Sequence, residues 1–201
     1  MEQLLLNIKL PIHKTFDNFI VGNNKECFDS LQNFILPDNN IFFIYIWGDK
    51  GCGKSHLAKA VQNHNVTIIE DIDQADEAKQ IDIFNLYNEH KASCKKLLVT
   101  GSNNPNEMML RDDLSSRLSW GLVYKLNLLS DIEKKLALNQ YSIERGLNLK
   151  IEIIEYLLRH YKRDLHSLIA SLDALDRWSL KTKRPITIPL LKEMNQKNLF
   201  E

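Results

Sequence analysis

Gly48-Asp49-Lys50-Gly51-Cys52-Gly53-Lys54-Ser55 decides the reading of this chain. It follows the apolar run Ile41-Phe42-Phe43-Ile44-Tyr45-Ile46-Trp47 and precedes His56-Leu57-Ala58-Lys59-Ala60-Val61. The spacing fits the pattern G-x-x-x-x-G-K-[ST] in a strand, loop, helix context. Glycines let the backbone curl so that successive N–H groups and a helix N-terminus face one anion. Lys54 would then reach the β- and γ-phosphates of a nucleotide, and the Ser55 hydroxyl would bind Mg²⁺. The competing reading is a glycine-rich turn that binds nothing, but such turns rarely carry Lys-Ser at this offset after a buried strand.

Outward from the loop, the chain alternates strand and helix patterns. Upstream, Thr15-Phe16-Asp17-Asn18-Phe19-Ile20-Val21-Gly22-Asn23 mixes aromatics with turn residues. Such a segment forms either a wall for an adenine or a cover for the sheet. Residues 26–36 read as a helix with Phe28, Leu31, Phe34 and Ile35 on one face. Downstream, Val66-Thr67-Ile68-Ile69-Glu70-Asp71-Ile72-Asp73 is an apolar strand ending in acids. Such a strand is expected beside the loop, bringing one carboxylate to Mg²⁺ and another to an attacking water. Residues 56–69 leave room for only one helix before it. A helix over 76–90 follows, with Ile81, Phe84, Leu86 and Tyr87 as core candidates. Leu97-Leu98-Val99-Thr100 is a third parallel strand, with Ser102 and Asn103 at its carboxyl end. Ligands of open α/β sheets lie at that edge, so Ser102 either senses a γ-phosphate or caps the next helix. Leu122-Val123-Tyr124-Lys125-Leu126 makes a fourth strand, and Arg117, like Arg111, reads as a helix-end cation.

From Ser130 the period is helical. Ser130-Asp131-Ile132-Glu133 is a capping box, and further helices follow over 151–161, from Leu165 and from Pro189. They predict a small helical lid in which Arg163 would reach a phosphate or cap the preceding helix. At the other end, Gln3-Leu4-Leu5-Leu6-Asn7-Ile8 is either an edge strand packed on its own domain or a linear peptide for a partner's groove.

Lys plus Arg equals Asp plus Glu at 26 each in 201 residues. That balance argues against a protein holding nucleic acid mainly through its net field and leaves a local basic patch open. No apolar run approaches the ~18 residues of a membrane span, and a cytoplasmic protein without membrane contact is expected. Three cysteines without metal-ligand spacing predict reduced thiols. The position of Cys52 in the loop predicts that nucleotide binding is sensitive to oxidation.

Taken together, residues 16–23, the 48–55 loop with His56, Leu114-Ser115-Ser116-Arg117-Leu118-Ser119-Trp120-Gly121 and Arg163-Asp164-Leu165 resemble the AAA+ module of the DnaA-related family. Residues 3–8 resemble the peptide by which proteins bind the DNA polymerase sliding clamp, which points to the regulatory inactivators within that family. The resemblance implies a P-loop NTPase (AAA+) α/β fold: 1–10 a clamp-binding peptide, 11–128 the nucleotide-binding domain, 129–201 the lid. The parallel sheet would be shortened by one edge strand.

The resemblance also assigns roles. Phe16, Phe19, Val21, Gly22 and Asn23 match the adenine side, and Gly48, Gly51, Cys52, Gly53, Lys54, Ser55 and His56 the phosphate loop. Ser102 matches the γ-phosphate sensor and Arg163 the lid arginine. Glu70 and Asp71 match the paired acids, Glu70 toward Mg²⁺ and Asp71 toward catalysis. Arg117 matches the arginine finger, and Gln3, Leu4, Leu6 and Ile8 match the clamp anchors. The nucleotide implied is ADP or ATP with Mg²⁺. The partners implied are the replication initiator DnaA and the sliding clamp, with a second copy of the chain as a further candidate and DNA contacted indirectly or weakly. Glu70 is one methylene longer than the usual aspartate, so intrinsic hydrolysis would be weak or absent, and the finger would act on the initiator's ATP.

Overall fold

The computed structural model describes residues 13–147 and 149–196; the expected clamp anchors Gln3, Leu4, Leu6 and Ile8 lie outside them. Helix α1 (Lys25–Phe34) puts Cys27, Leu31 and Phe34 inside. Strand β1 (Phe43–Trp47) leads into α2 (Lys54–Val61), and β2 (Val66–Ile69) follows. Helix α3 (Glu77–Ser93), capped by the Asp76 carboxylate on the Lys79 amide, precedes β3 (Lys96–Gly101). Helix α4 (Asp112–Ser119) and β4 (Leu122–Lys125) complete the α/β part.

The sheet has the order β2-β3-β1-β4, with every pairing parallel. This corrects the expectation that the acidic strand lies beside the loop strand: β3 stands between β2 and β1. The reason is burial. Strand β3 carries Leu97, Leu98 and Val99, all fully buried, and needs a neighbour on both sides.

Strand periodicity sorts the core into two layers. Ile44, Ile46 and Leu98 pack with α1 and α2 on one face. Phe43, Tyr45, Leu97 and Val99 pack with α3 and α4 on the other. Within α3 the inward residues are Gln80, Ile83, Tyr87 and His90. Ile81, expected in the core, is 41% exposed, because the face set by Ile83 and Tyr87 turns position 81 toward solvent.

Helices α5 (Asp131–Glu144), α6 (Ile151–His160), α7 (Leu165–Thr182) and α8 (Ile188–Gln196) build a separate core around Leu138, Ile154, Leu157, Leu168, Leu172 and Leu175. The capping box at Ser130 and Glu133 forms as the sequence predicts. Gly146, at φ +67°, ends the first of these helices. Among the described residues no helix is long and apolar enough to cross a membrane.

Candidate functional site

The loop between β1 and α2 has the backbone its glycines permit. Gly53 has φ +109° and faces the Phe19 ring, so that a Cβ there would stand 2.8 Å from it. Gly48, at φ +148°, lies against the Leu126 carbonyl, which a Cβ would meet at 2.5 Å. The loop is thereby wedged between the aromatic segment and the end of β4.

Lys54 opens α2 and is only 9% exposed. Its Nζ donates to the carbonyls of Gly48 at 2.6 Å and Asp49 at 3.2 Å. A buried ammonium needs acceptors, and these two loop carbonyls hold it at the mouth of the cradle, where phosphate oxygens are the better acceptors. Ser55 is exposed on the next residue of the helix. The donor set therefore fits an anion, with the Ser55 hydroxyl and the Glu70 carboxylate as the groups that would hold a divalent cation. Among the described residues no cluster of three His, Cys, Asp or Glu forms a metal site by itself.

Cys52 is 3% exposed, its thiol pushed up by burial foremost. The expected sensitivity to oxidation is corrected accordingly, because a buried thiol with little thiolate reacts slowly. Cys27, in the same core cluster, is raised to about 12 by burial first.

His56 ties the aromatic segment to α2. Its Nε2 lies 2.9 Å from the Thr15 carbonyl, to which it must donate, and 3.1 Å from Asn18 Oδ1. Burial lowers its pKa, with the Thr15 carbonyl acting in the opposite direction. Phe19 stacks on Phe28 with ring centroids 5.8 Å apart and meets His56 edge-on at 5.3 Å, while Phe16 meets Phe28 edge-on. The two phenylalanines thus cover the sheet, one of the two roles open to them. Val21 is half-buried on the same cluster, and Gly22 and Asn23 are exposed.

Beyond these residues the segment grips the lid. Buried Asn24 donates to the Asn127 carbonyl at 3.1 Å and accepts from the Asn127 amide at 2.7 Å. Gly22 abuts the Glu133 carboxylate, the acid of the α5 capping box, at 2.6 Å from where a Cβ would stand. Neither contact was legible beforehand, since Asn24 and Asn127 carry no motif.

At the carboxyl ends of the strands, Glu70 and Asp71 are exposed. Asp71 has φ +53°, and its amide donates to the buried Thr100 hydroxyl at 3.2 Å. Ser102, the expected sensor, is held by Asp73: the carboxylate accepts from the Ser102 amide at 2.8 Å and from its hydroxyl at 2.9 Å. Asp73 ends the acidic stretch, and no spacing in the sequence marks it as the partner of Ser102.

The two candidate arginines of α4 differ in their surroundings. Arg111 forms a paired contact with Asp113, at 3.2 and 3.0 Å. Arg117, in the last turn, makes no ion pair among the described residues and lies over the Phe84 and Trp120 rings at 5.9 and 5.6 Å. Lys91 approaches the same Trp120 at 5.2 Å, and Trp120 is 70% exposed. Arg163 stands just before α7 and leans on Asp131 of α5 at 3.8 Å, both largely exposed. The structure therefore gathers the loop, the aromatic segment and the lid hinge into one contact network. Arg117 and Arg163 make their own contacts outside it.

Comparison with known proteins adds the following. A family model described as "Hda, lid domain" matches residues 131–194. An uncharacterized protein of Haemophilus influenzae is 33% identical, over 93% of this chain and 97% of its own length. Domain III of the Thermotoga maritima replication initiation protein DnaA has TM-score 0.85 at 17% identity, covering 94% of this chain and 98% of that one. AMPPCP-bound DnaA from Aquifex aeolicus gives TM-score 0.71 at 20% identity, over 83% of this chain and 66% of that one. The Thermotoga maritima RuvB branch migration motor gives 0.72 at 15%, over 90% and 71%. At these identities the solved structures bear on the fold.

Proposed function

The chain belongs to the DnaA/Hda-related family of AAA+ proteins, and from that premise we propose that it is a nucleotide-binding regulator of replication initiation. In this reading it stimulates hydrolysis of ATP held by the initiator DnaA and so inactivates it, working with the sliding clamp. The single observation that carries the reading is the contrast between Arg111 and Arg117. Arg111 is paired with Asp113, whereas Arg117 has no ion pair among the described residues and lies over the Phe84 and Trp120 rings, with Lys91 against the same Trp120.

An arginine finger acts on charge that develops during phosphoryl transfer, and is worth roughly 10³ to 10⁵ in rate. It needs an unpaired guanidinium whose position is fixed before the partner arrives. Two ring faces provide this without supplying a competing carboxylate.

The chain's own nucleotide would sit in the Gly48–Ser55 cradle, with Lys54 exchanging loop carbonyls for phosphate oxygens. AMPPCP-bound DnaA supports nucleotide binding here by fold alone, with ADP or ATP and Mg²⁺ as the proposed ligands. Val21, half-buried beside exposed Gly22 and Asn23, would border the adenine. Binding would fix the hinge through Asn24 and Gly22, which touch the lid linker and the α5 cap. Asp71 would serve any residual hydrolysis, and Arg163 would answer the bound phosphates from the lid. In this reading residues 1–10 are the clamp peptide, 11–128 the nucleotide domain and 129–201 the lid.

The test follows ATP prebound to the purified initiator, with clamp and DNA present, with and without this chain. The reading requires acceleration that depends on all of these components. Purified chain that turns over ATP at several per second alone would instead favour a self-sufficient AAA+ motor or loader.

A further inference from the structure

Basic and acidic residues balance over the whole chain, at 26 each, but not along its length. Tyr156-Leu157-Leu158-Arg159-His160-Tyr161-Lys162-Arg163, the end of α6 and the turn toward α7, carries Arg159, His160, Lys162 and Arg163 without one acid. Leu157 and Leu158 go into the lid core, while all four of these basic residues are exposed.

Local structure does not account for this concentration of charge. Arg159 and His160 lie in the last turn of α6, where cations suit the helix dipole. Lys162 and Arg163 stand just ahead of the N-terminus of α7, where a positive charge is disfavoured. The carboxylates nearby are engaged. Asp164 accepts from the Ser167 amide at 2.8 Å as the cap of α7. Glu155, one turn before Arg159, is held by Lys135 at 2.7 Å, and Asp131 is shared between Lys134 at 3.6 Å and Arg163 at 3.8 Å. Arg159 and Lys162 make no ion pair among the described residues.

The other basic tract of the lid, at the far end of α7, has local work to do. Lys181 sits in the last turn of that helix and lies over Trp178 at 5.6 Å, and Arg184 is paired with Glu193 at 2.7 Å.

We propose that the turn between α6 and α7 is a DNA-contact surface, in which Arg159 and Lys162 take phosphates of the DNA backbone with His160 beside them. Arg163 is left to the chain's own nucleotide. A guanidinium fork and an ammonium both match phosphate oxygens. The His160 ring lies against Tyr156 with centroids 4.2 Å apart, and rings among cations are the combination that takes nucleic acid strands. A tightly bound protein partner needs apolar anchors at the centre of the contact, and a membrane surface needs apolar side chains to insert. No large apolar side chain of residues 156–163 is exposed. Two phosphate contacts give weak binding that is steeply salt-dependent and indifferent to sequence.

The proposal goes beyond the function argued above and does not rest on it, so initiator and clamp are left out of the test. Anisotropy of a labelled duplex is titrated with the full chain at constant ADP, from about 50 to about 200 mM salt. Arg159→Ala/Lys162→Ala should weaken binding at least about tenfold at the lowest salt and reduce the slope of log K against log salt by roughly 2. Lys181→Ala/Lys183→Ala removes the same net charge from the far end of α7 and should stay within about twofold of wild type. No binding by the wild-type chain at the lowest salt would overturn the proposal, as would equal losses in the two double variants. Tighter binding of phosphatidylserine vesicles or of polyglutamate than of DNA would overturn it too, by assigning the turn to a lipid or a protein. In the wild-type chain, DNA should shift the amide NMR signals of residues 156–166 most. Shifts confined to other residues would contradict the proposal even if a variant did not fold.

Discussion

The Asp73 carboxylate holds Ser102 by two bonds at once, one to its backbone amide and one to its hydroxyl, at 2.8 and 2.9 Å. The pair is exposed to solvent, so its contribution to folding is small. Its effect lies in where it points the serine. Asp73→Ala should cost no more than about 1 kcal/mol in urea unfolding. On the proposed role of Ser102 it should also change the ratio of ATP to ADP affinity, measured by titration, while Asp73→Asn retains part of the wild-type ratio.

Asn24 is the fixed point between the aromatic segment and the lid linker. Both of its side-chain bonds go to the backbone of Asn127, and Asn24→Ala leaves that amide and carbonyl unpaired in a partly buried place. The expected loss is about 2 kcal/mol of stability. It should appear as a lower urea midpoint with an unchanged m-value.

The His56 bond to Thr15 gives stability a pH dependence of known sign. Burial lowers the folded-state pKa below the ordinary 6.5, so the folded protein binds this proton less readily than the unfolded chain. The contribution is complete above 6.5 and is lost as pH falls through the depressed folded value. Urea midpoints should therefore decline from about pH 8 to about pH 5. His56→Gln, which keeps an N–H donor without the titration, should flatten that part of the decline.

Gly53 combines φ +109° with an aromatic ring 2.8 Å from any added Cβ. Gly53→Ala should destabilise by roughly 1–3 kcal/mol and weaken nucleotide binding as Phe19 shifts. Lys54→Ala removes an ammonium held by two loop carbonyls. It should abolish nucleotide binding while the circular dichroism of the fold stays intact.

How much of this was legible in the residues differs by layer. The loop, the order of strands and helices and the Ser130–Glu133 cap were readable because each is set by neighbours within a few positions. The place of β3 between β2 and β1 was not, since strand order depends on how much apolar surface each strand brings from afar. The same holds for Asn24 with Asn127, separated by 103 positions, and for Asp73 with Ser102. Ile81 shows the limit of periodicity, because Ile81 and Ile83 are equally apolar and only packing decides which turns inward. Arg117 was marked by resemblance. Its distinction from Arg111 came from Asp113 and the two aromatic rings, which no spacing announces.

The most direct measurement compares Arg117→Ala with Arg111→Ala in hydrolysis of ATP prebound to the initiator, with clamp and DNA present. Circular dichroism and urea midpoints establish that both variants fold. The predicted result is a loss of at least about 10³-fold in stimulated rate for Arg117→Ala, with Arg111→Ala close to wild type. Equal stimulation by Arg117→Ala and wild type would contradict a finger acting on the partner's ATP.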